Sequence, residues 1–217
     1  MADYLAAKLR VFENMRPRDL AVAPAGTVIP GGALMFTVDD GPRTRTSIAW
    51  SDGGLCHADL GLVARWEQVA LRGAHNRQNA MAAVAVAAHA GATADAIAAG
   101  LADFPGVAHR LEVVLVADGV TYVNDSKATN PDAAMAALDA YPQRVHLIAG
   151  GRAKGTPFAA LAERARGTVI SAHLVGEAAA EMREAFAAAG IPVTCSPDIA
   201  GALDNARYLL EDGTFVI

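Results

Sequence analysis

The period of hydrophobic and polar positions changes twice along this chain, and each change marks a different kind of element. Leu5, Leu9 and Phe12 recur at helical spacing, which predicts a short amphipathic helix over residues 3–16, stopped by Pro17. From residue 19 to 72 the pattern breaks into short apolar runs between Gly and Pro turns. Strands are expected there at Leu20–Ala23, Ala33–Val38, Ser47–Trp50 and Gln68–Leu71. This glycine-rich stretch reads as part of something larger, not as a self-sufficient core. A long alanine-rich helix is expected from Asn76, its N-cap, to Ala90, closed by Gly91. Thr93 then caps a second helix, with Ile97, Leu101 and Phe104 on its buried face. Pro105-Gly106 breaks the chain, and a domain boundary is placed there.

Beyond the break, strand and helix patterns alternate. Leu111–Val116 and Val120–Val123 flank Asp118-Gly119, a two-residue hairpin signal. Asn130 as N-cap and Pro131 at the first helical position open a helix to Tyr141. Val145–Ala149 is a continuous apolar strand, and Thr156-Pro157 open the next helix. Then come a strand at Val169–Val175 and a helix at Ala178–Ala189, closed by Gly190. A strand at Val193–Cys195, an Asp198-capped helix to Leu210 and a strand at Thr214–Ile217 complete the series. This rhythm implies right-handed crossovers and a mainly parallel sheet, so the fold class is α/β.

Composition narrows the function classes. The 217 residues are 53% hydrophobic and 19% charged, as in an ordinary globular chain. The net charge of -5 argues against a general nucleic-acid surface. Residues 80–90 are apolar but too short for a membrane helix, and the start of the chain has no signal-peptide core. Cys56 and Cys195 lie far apart, without zinc-ligand spacing, which fits a reduced, cytoplasmic setting. His57, His89, His146 and His173 lack partner spacing and read as structural.

Chemistry concentrates in four stretches. Asn124-Asp125-Ser126-Lys127-Ala128-Thr129-Asn130-Pro131 joins a strand end to a helix N-terminus. Such a terminus offers open N–H groups and partial positive charge, so Lys127, Ser126 and Thr129 suit a phosphate or carboxylate there. Asp125 suits ribose hydroxyls. The same text also reads as a plain capped helix with a solvated lysine. Gly150-Gly151-Arg152-Ala153-Lys154 follows the next strand, where glycines let the backbone approach an anion and Lys154 adds charge. It reads equally as a tight turn. It is no P-loop, since GxxxxGK[ST] occurs nowhere in the chain. Both loops are expected at neighbouring strand ends, facing one crevice. His75-Asn76-Arg77-Gln78-Asn79 offers the Asn79 amide to an adenine edge or phosphate, or only caps a helix. His109-Arg110 offers a guanidinium to a purine or phosphate, or only a surface ion pair.

Together these stretches resemble the Mur ligases of peptidoglycan synthesis, and within them the branch that adds D-glutamate. The matching text runs from Tyr4-Leu5-Ala6-Ala7-Lys8 and Phe12-Glu13-Asn14 through His75-Asn76-x-x-Asn79-Ala80 and His109-Arg110-Leu111-Glu112. It continues through Asn124–Pro131 to Gly150-Gly151-x-x-Lys154, and so covers nearly the whole chain. Ala23-Pro24-Ala25-Gly26 departs from the family's usual Asn-Ala-Asp-Asp type of turn. The resemblance implies that residues 1–106 are the rear part of a P-loop-type ATPase domain. Residues 107–217 would be a Rossmann-like, mainly parallel sheet domain with flanking helices that receives the amino acid. It further implies that the P-loop, a carbamylated lysine and the Mg2+ ligands lie upstream, and a D-glutamate-gripping loop downstream. On that reading the chain alone is inactive.

The implied activity is ATP-dependent amide-bond formation between D-glutamate and UDP-N-acetylmuramoyl-L-alanine through an acyl phosphate. It puts Lys127 and Lys154 in catalytic roles, with Ser126 and Thr129 also on D-glutamate or the acyl phosphate. Asn79, Arg110 and Asp125 fall on ATP, and His109 orients its neighbours. The complete enzyme would be a cytoplasmic monomer with small-molecule substrates and no nucleic-acid or membrane partner. A non-catalytic nucleotide- or partner-binding module derived from the same fold is the alternative.

Overall fold

A computed structural model describes residues 2–16, 19–23, 48–51, 53–141, 144–153 and 155–217. The chain divides into two compact units, Met1–Leu71 with His75–Pro105 and Arg72–Ala74 with Gly106–Ile217.

The first unit opens with α1 (Ala2–Leu9) and a 3-10 turn at Arg10–Phe12, shorter than the helix expected over 3–16. Leu5 is exposed, while Leu9 and Phe12 are half-buried. Residues 20–23 form no strand, although Ala21 and Ala23 are buried. The strand expected at 33–38 lies outside the described residues. β1 (Ile48–Ser51), β2 (Gly54–His57) and β3 (Gly61–Arg65) make an antiparallel meander. β2 and β3 escaped the sequence reading for a physical reason. The register shifts between Leu55 and Cys56, so both side chains are buried and the period of two is lost. In place of the strand expected at 68–71 stands a 3-10 turn at Trp66–Gln68, where Gln68 Oε1 accepts the Arg65 N–H at 2.8 Å.

α2 (Ala74–His89) and α3 (Ala94–Asp103) follow. Leu55, Met81, Val84 and Ile97 share one core with Ile48 and Val63. Thr93 caps α3 by accepting the Ala96 N–H at 3.3 Å. Phe104 is not on the buried face. It is the extended C-cap of α3 and is exposed, because a residue before proline is pushed out of the helical region. Asn76 is not an N-cap either, since α2 begins at Ala74 and Asn76 lies buried in its first turn.

The second unit is built on β4 (Glu112–Ala117), β5 (Val120–Asn124), β6 (Val145–Gly150), β7 (Val169–Val175), β8 (Val193–Ser196) and β9 (Phe215–Val216). Their spatial order is β4-β5-β9-β6-β7-β8. Only the β4–β5 hairpin is antiparallel; every other pairing is parallel. Its turn has Asp118 at φ 49° and Gly119 at φ 72°, matching the twist of a two-residue hairpin. The α/β class expected from the strand–helix rhythm therefore holds.

The helices are α4 (Pro131–Ala140), α5 (Ala159–Ala165), α6 (Ala179–Ala188) and α7 (Ile199–Arg207). α5 starts at Ala159 with Phe158 as its cap, later than the expected opening at Thr156-Pro157. Leu138, Leu161, Met182 and Phe186 pack with Val145, Leu147, Ala172 and Leu174 in the main core. α4, α5 and α6 therefore cover one face. His146, Ser171 and His173 alternate with those core residues and point to the other face, where α7 lies with Ala202 and Ala206 buried. The sheet thus advances from β5 to β8, and α7 then carries the chain back to insert β9 between β5 and β6.

Candidate functional site at the carboxyl ends of β5 and β6

The loop after β5 is held by its own short side chains. Asn124 Oδ1 accepts the Ser126 N–H at 3.1 Å. Ala128 N–H donates to the Asp125 carbonyl at 2.8 Å, and Thr129 N–H to the Lys127 carbonyl at 2.9 Å. Asn130 Oδ1 takes the Ala133 N–H at 2.9 Å, which makes Asn130 the N-cap of α4 with Pro131 behind it. These bonds leave the Ser126, Lys127 and Thr129 side chains exposed at the positive end of a ten-residue helix.

Residues 107–111 are fastened to this loop. Lys127 N–H donates to the His109 carbonyl at 3.0 Å, and Leu111 N–H donates to Asp125 Oδ1 at 3.0 Å. The Asn124 amide reaches the His109 ring, Nδ2 to Nδ1, at 2.9 Å, and Glu112 Oε2 accepts the His109 N–H at 2.7 Å. His109 and Leu111 both sit in the left-handed region, at φ 65° and 47°. Left-handed backbone costs about 1–3 kcal/mol at a residue with a side chain, and a hydrogen bond returns about 0.5–1.5 kcal/mol. The shape of 109–111 therefore depends on the 124–127 loop. Between the two strained residues, Arg110 is exposed and makes no ion pair among the described residues.

Beside this site, Tyr141 is fully buried, with the Arg72 guanidinium 5.6 Å from its ring centre. Burial pushes its hydroxyl pKa up, the Arg72 cation pulls it down, and the Asp125 carboxylate adds to the rise.

β6 ends on Gly150 at φ 152°, and the loop after it begins with Gly151 at φ 107°. A Cβ on Gly150 would collide with the Val175 carbonyl oxygen. Gly151 N–H donates to that oxygen at 3.1 Å, and the Gly151 carbonyl accepts the Ala178 N–H at 3.0 Å. Gly150 thus serves close packing against the end of β7, while Gly151 supplies a left-handed backbone that bonds to it. Lys154 lies outside the described residues. The two loops do not end neighbouring strands, because β9 stands between β5 and β6. Two strand spacings, about 10 Å, separate their strand ends.

Asn79 belongs to the first unit, exposed on α2, where its Nδ2 donates to the buried Asn76 Oδ1 at 3.1 Å. Lys127, Ser126, Thr129, Asp125 and Arg110 all belong to the second. Asn124 and Glu112 lie within the stretches singled out in the sequence, but nothing there gives either a role of its own. The Asn-x-Ser spacing is a side-chain turn signal that marks Asn124 locally, but its bond to His109 spans 15 positions.

The second unit also decides the family. The family model for the Mur ligase, glutamate ligase domain, matches residues 109–217. This chain belongs to the Mur ligase family. Among its relatives, the UDP-N-acetylmuramoylalanine–D-glutamate ligase of Myxococcus xanthus is 39% identical over 229 residues, covering 100% of this chain and 50% of that protein. The ligase of the same name from Pelotomaculum thermopropionicum is 39% identical over 227 residues, with the same coverage. The chain spans about half the length of these curated relatives. Solved Mur ligases share its fold. MurF from Acinetobacter baumannii superposes with a TM-score of 0.72 at 19% identity, over 98% of this chain and 51% of that one. MurF from Thermotoga maritima, in complex with ADP, gives 0.66 at 17% identity, over 98% and 52%. At such identities the likeness concerns the fold of this Mur ligase chain alone.

Proposed function

We propose that this chain is part of an ATP-dependent ligase that adds D-glutamate to UDP-N-acetylmuramoyl-L-alanine in peptidoglycan biosynthesis. The observation that carries this reading is its 39% identity, across the whole chain, to ligases named for that reaction. The γ-phosphoryl group of ATP passes to the alanyl carboxylate, giving an acyl phosphate and ADP. The D-glutamate amine attacks the acyl carbon and loses a proton. Phosphate then leaves from the tetrahedral intermediate as the amide forms.

Such a path needs fixed positive charge and N–H donors around moving phosphate and two substrate carboxylates. Lys127, Ser126 and Thr129, exposed at the N-terminus of α4, supply them for D-glutamate or the acyl phosphate, together with Lys154. Arg110, Asp125 and Asn79 serve ATP, a ligand class supported by the ADP bound to the Thermotoga neighbour. A carboxylate has several lone-pair sites, so Asp125 can accept the Leu111 N–H and a ribose hydroxyl together. Pro105-Gly106 marks the boundary between the rear of the ATPase domain and the amino-acid domain. Mg2+ would accompany ATP. The described residues furnish no cluster of three or more His, Cys, Asp or Glu side chains for an ion, and no step here runs through it. On this reading the complete enzyme works in the cytoplasm, as a monomer on small-molecule substrates.

The test uses the protein as its gene encodes it. Phosphate release that requires both D-glutamate and UDP-N-acetylmuramoyl-L-alanine is expected, falling about 10²–10³-fold in Lys127→Ala and in Lys154→Ala. Nucleotide binding without turnover would favour a non-catalytic module, and unchanged D-glutamate kinetics in both variants would remove the assigned roles.

A further inference from the structure

The Asn124 amide has only one orientation compatible with its neighbours. Its oxygen must face the Ser126 N–H, 3.1 Å away, because an NH2 group there would set donor against donor. Its NH2 group must then face His109 Nδ1 at 2.9 Å. A ring nitrogen facing a donor has to be the acceptor, so in the neutral ring the proton sits on Nε2. The competing arrangement, Nδ1–H toward Glu112, has 3.7 Å to span, too long for a hydrogen bond. Glu112 Oε2 is already engaged by the His109 backbone N–H at 2.7 Å.

We propose that Asn124 is a positioning residue that selects the Nε2–H tautomer of the His109 ring, joined to the same loop that carries Lys127. In that form the ring offers one N–H, at Nε2, to an anionic oxygen of phosphate or carboxylate type, while its Nδ1 is engaged by the Asn124 amide. The Asn124 amide also fastens the left-handed 109–111 turn to the Ser126 backbone, so Arg110 and Lys127 are placed by one side chain. The use of that donor toward nucleotide or substrate rests on the ligase reading; the position of the proton does not. Failure of the two can therefore be told apart.

Long-range 1H–15N correlation on the 15N-labelled 217-residue chain reads the proton directly. At about pH 8.5, where imidazoles are neutral, His109, identified by its loss in His109→Gln, should show a protonated Nε2 and a bare Nδ1. Asn124→Asp replaces the donor with an acceptor of the same shape and should move the proton to Nδ1. Backbone amide signals outside 107–129 serve as the check on folding. A protonated Nδ1 in the unaltered chain overturns the proposal. So does an Asn124→Asp chain that folds and leaves the ring unchanged. Should Asn124→Asp not fold, Asn124→Ala removes the amide in its place, and a ring as uniformly Nε2-protonated as in the unaltered chain overturns the proposal.

Discussion

The two faces of the six-stranded sheet solve one problem in opposite ways. Under α4, α5 and α6 the sheet buries Leu147, Leu174, Leu161, Met182 and Phe186 in a continuous apolar layer. Under α7 it buries a polar chain instead. His146 Nδ1 and His173 Nε2 each lie 2.8 Å from Ser171 Oγ, and α7 meets them with the small side chains of Ala202 and Ala206. Both rings are buried, and His146 Nε2 and His173 Nδ1 have no hydrogen-bond partner among the described residues. The first face gains stability from apolar area removed from water. The second depends on a hydroxyl shared between two imidazoles and on both rings staying neutral. Burial was not reserved for hydrophobic side chains here, because strand alternation puts every second residue under one helix or another.

This contrast can be broken from either side. The largest effect should come from Phe186→Ala, which empties the apolar face and should cost about 3–5 kcal/mol in urea unfolding. A loss below 1 kcal/mol, about that of an exposed site, would contradict the core role. Ser171→Ala should cost less, about 1–3 kcal/mol, by leaving two buried ring nitrogens without their shared partner. A neutral result would mean the hydroxyl contributes nothing beyond its volume.

The two faces should also separate by pH. Burial lowers both histidine pKa values, and for His146 the charges of His173 and Arg144 lower it further while Glu211 opposes them. The folded chain then holds fewer protons than the unfolded one below about pH 6.5. Stability is full above that value and falls as pH drops toward the folded pKa values, by up to about 1.4 kcal/mol per pH unit for each ring. Urea midpoints at about pH 7.5 and 5.5 measure the slope. His146→Gln should lower it, and an unchanged slope would remove His146 from this account. The smallest effect belongs to the rim. Arg164 and Asp139 are paired but about half exposed, so Arg164→Ala should change stability by less than about 1 kcal/mol, and added salt should shrink even that.

Elements fixed by local chemistry could be read from the chain alone. Asp118-Gly119 demands a tight hairpin, and Asn130-Pro131 demands a helix start; both are found in place. Features that depend on distant partners could not. The bulge between Leu55 and Cys56 hides two strands from any period-two search. Phe104 keeps the helical spacing of Ile97 and Leu101 but loses its place to the proline after it. The site behaves alike. Ser126, Lys127 and Thr129 announce an anion-binding helix start in one short run. Nothing in that run says that Asn124 will grip His109, or that another strand will stand between the two glycine- and lysine-bearing loops.

That intervening strand has a consequence for how the molecule is made. β9 follows the other five described strands of this sheet in chain order but sits inside it, paired with both β5 and β6. During synthesis the β4–β5 hairpin and the β6–β7–β8 layer emerge first, as two half-sheets that do not pair with each other in the finished sheet. Residues 215–216 close them, through pairings that reach back across most of the unit. Contacts of such long sequence separation form slowly and leave strand edges open meanwhile. A nascent chain stalled before Phe215 would therefore carry two sticky edges, and chaperone capture should peak there and fall once β9 is in place.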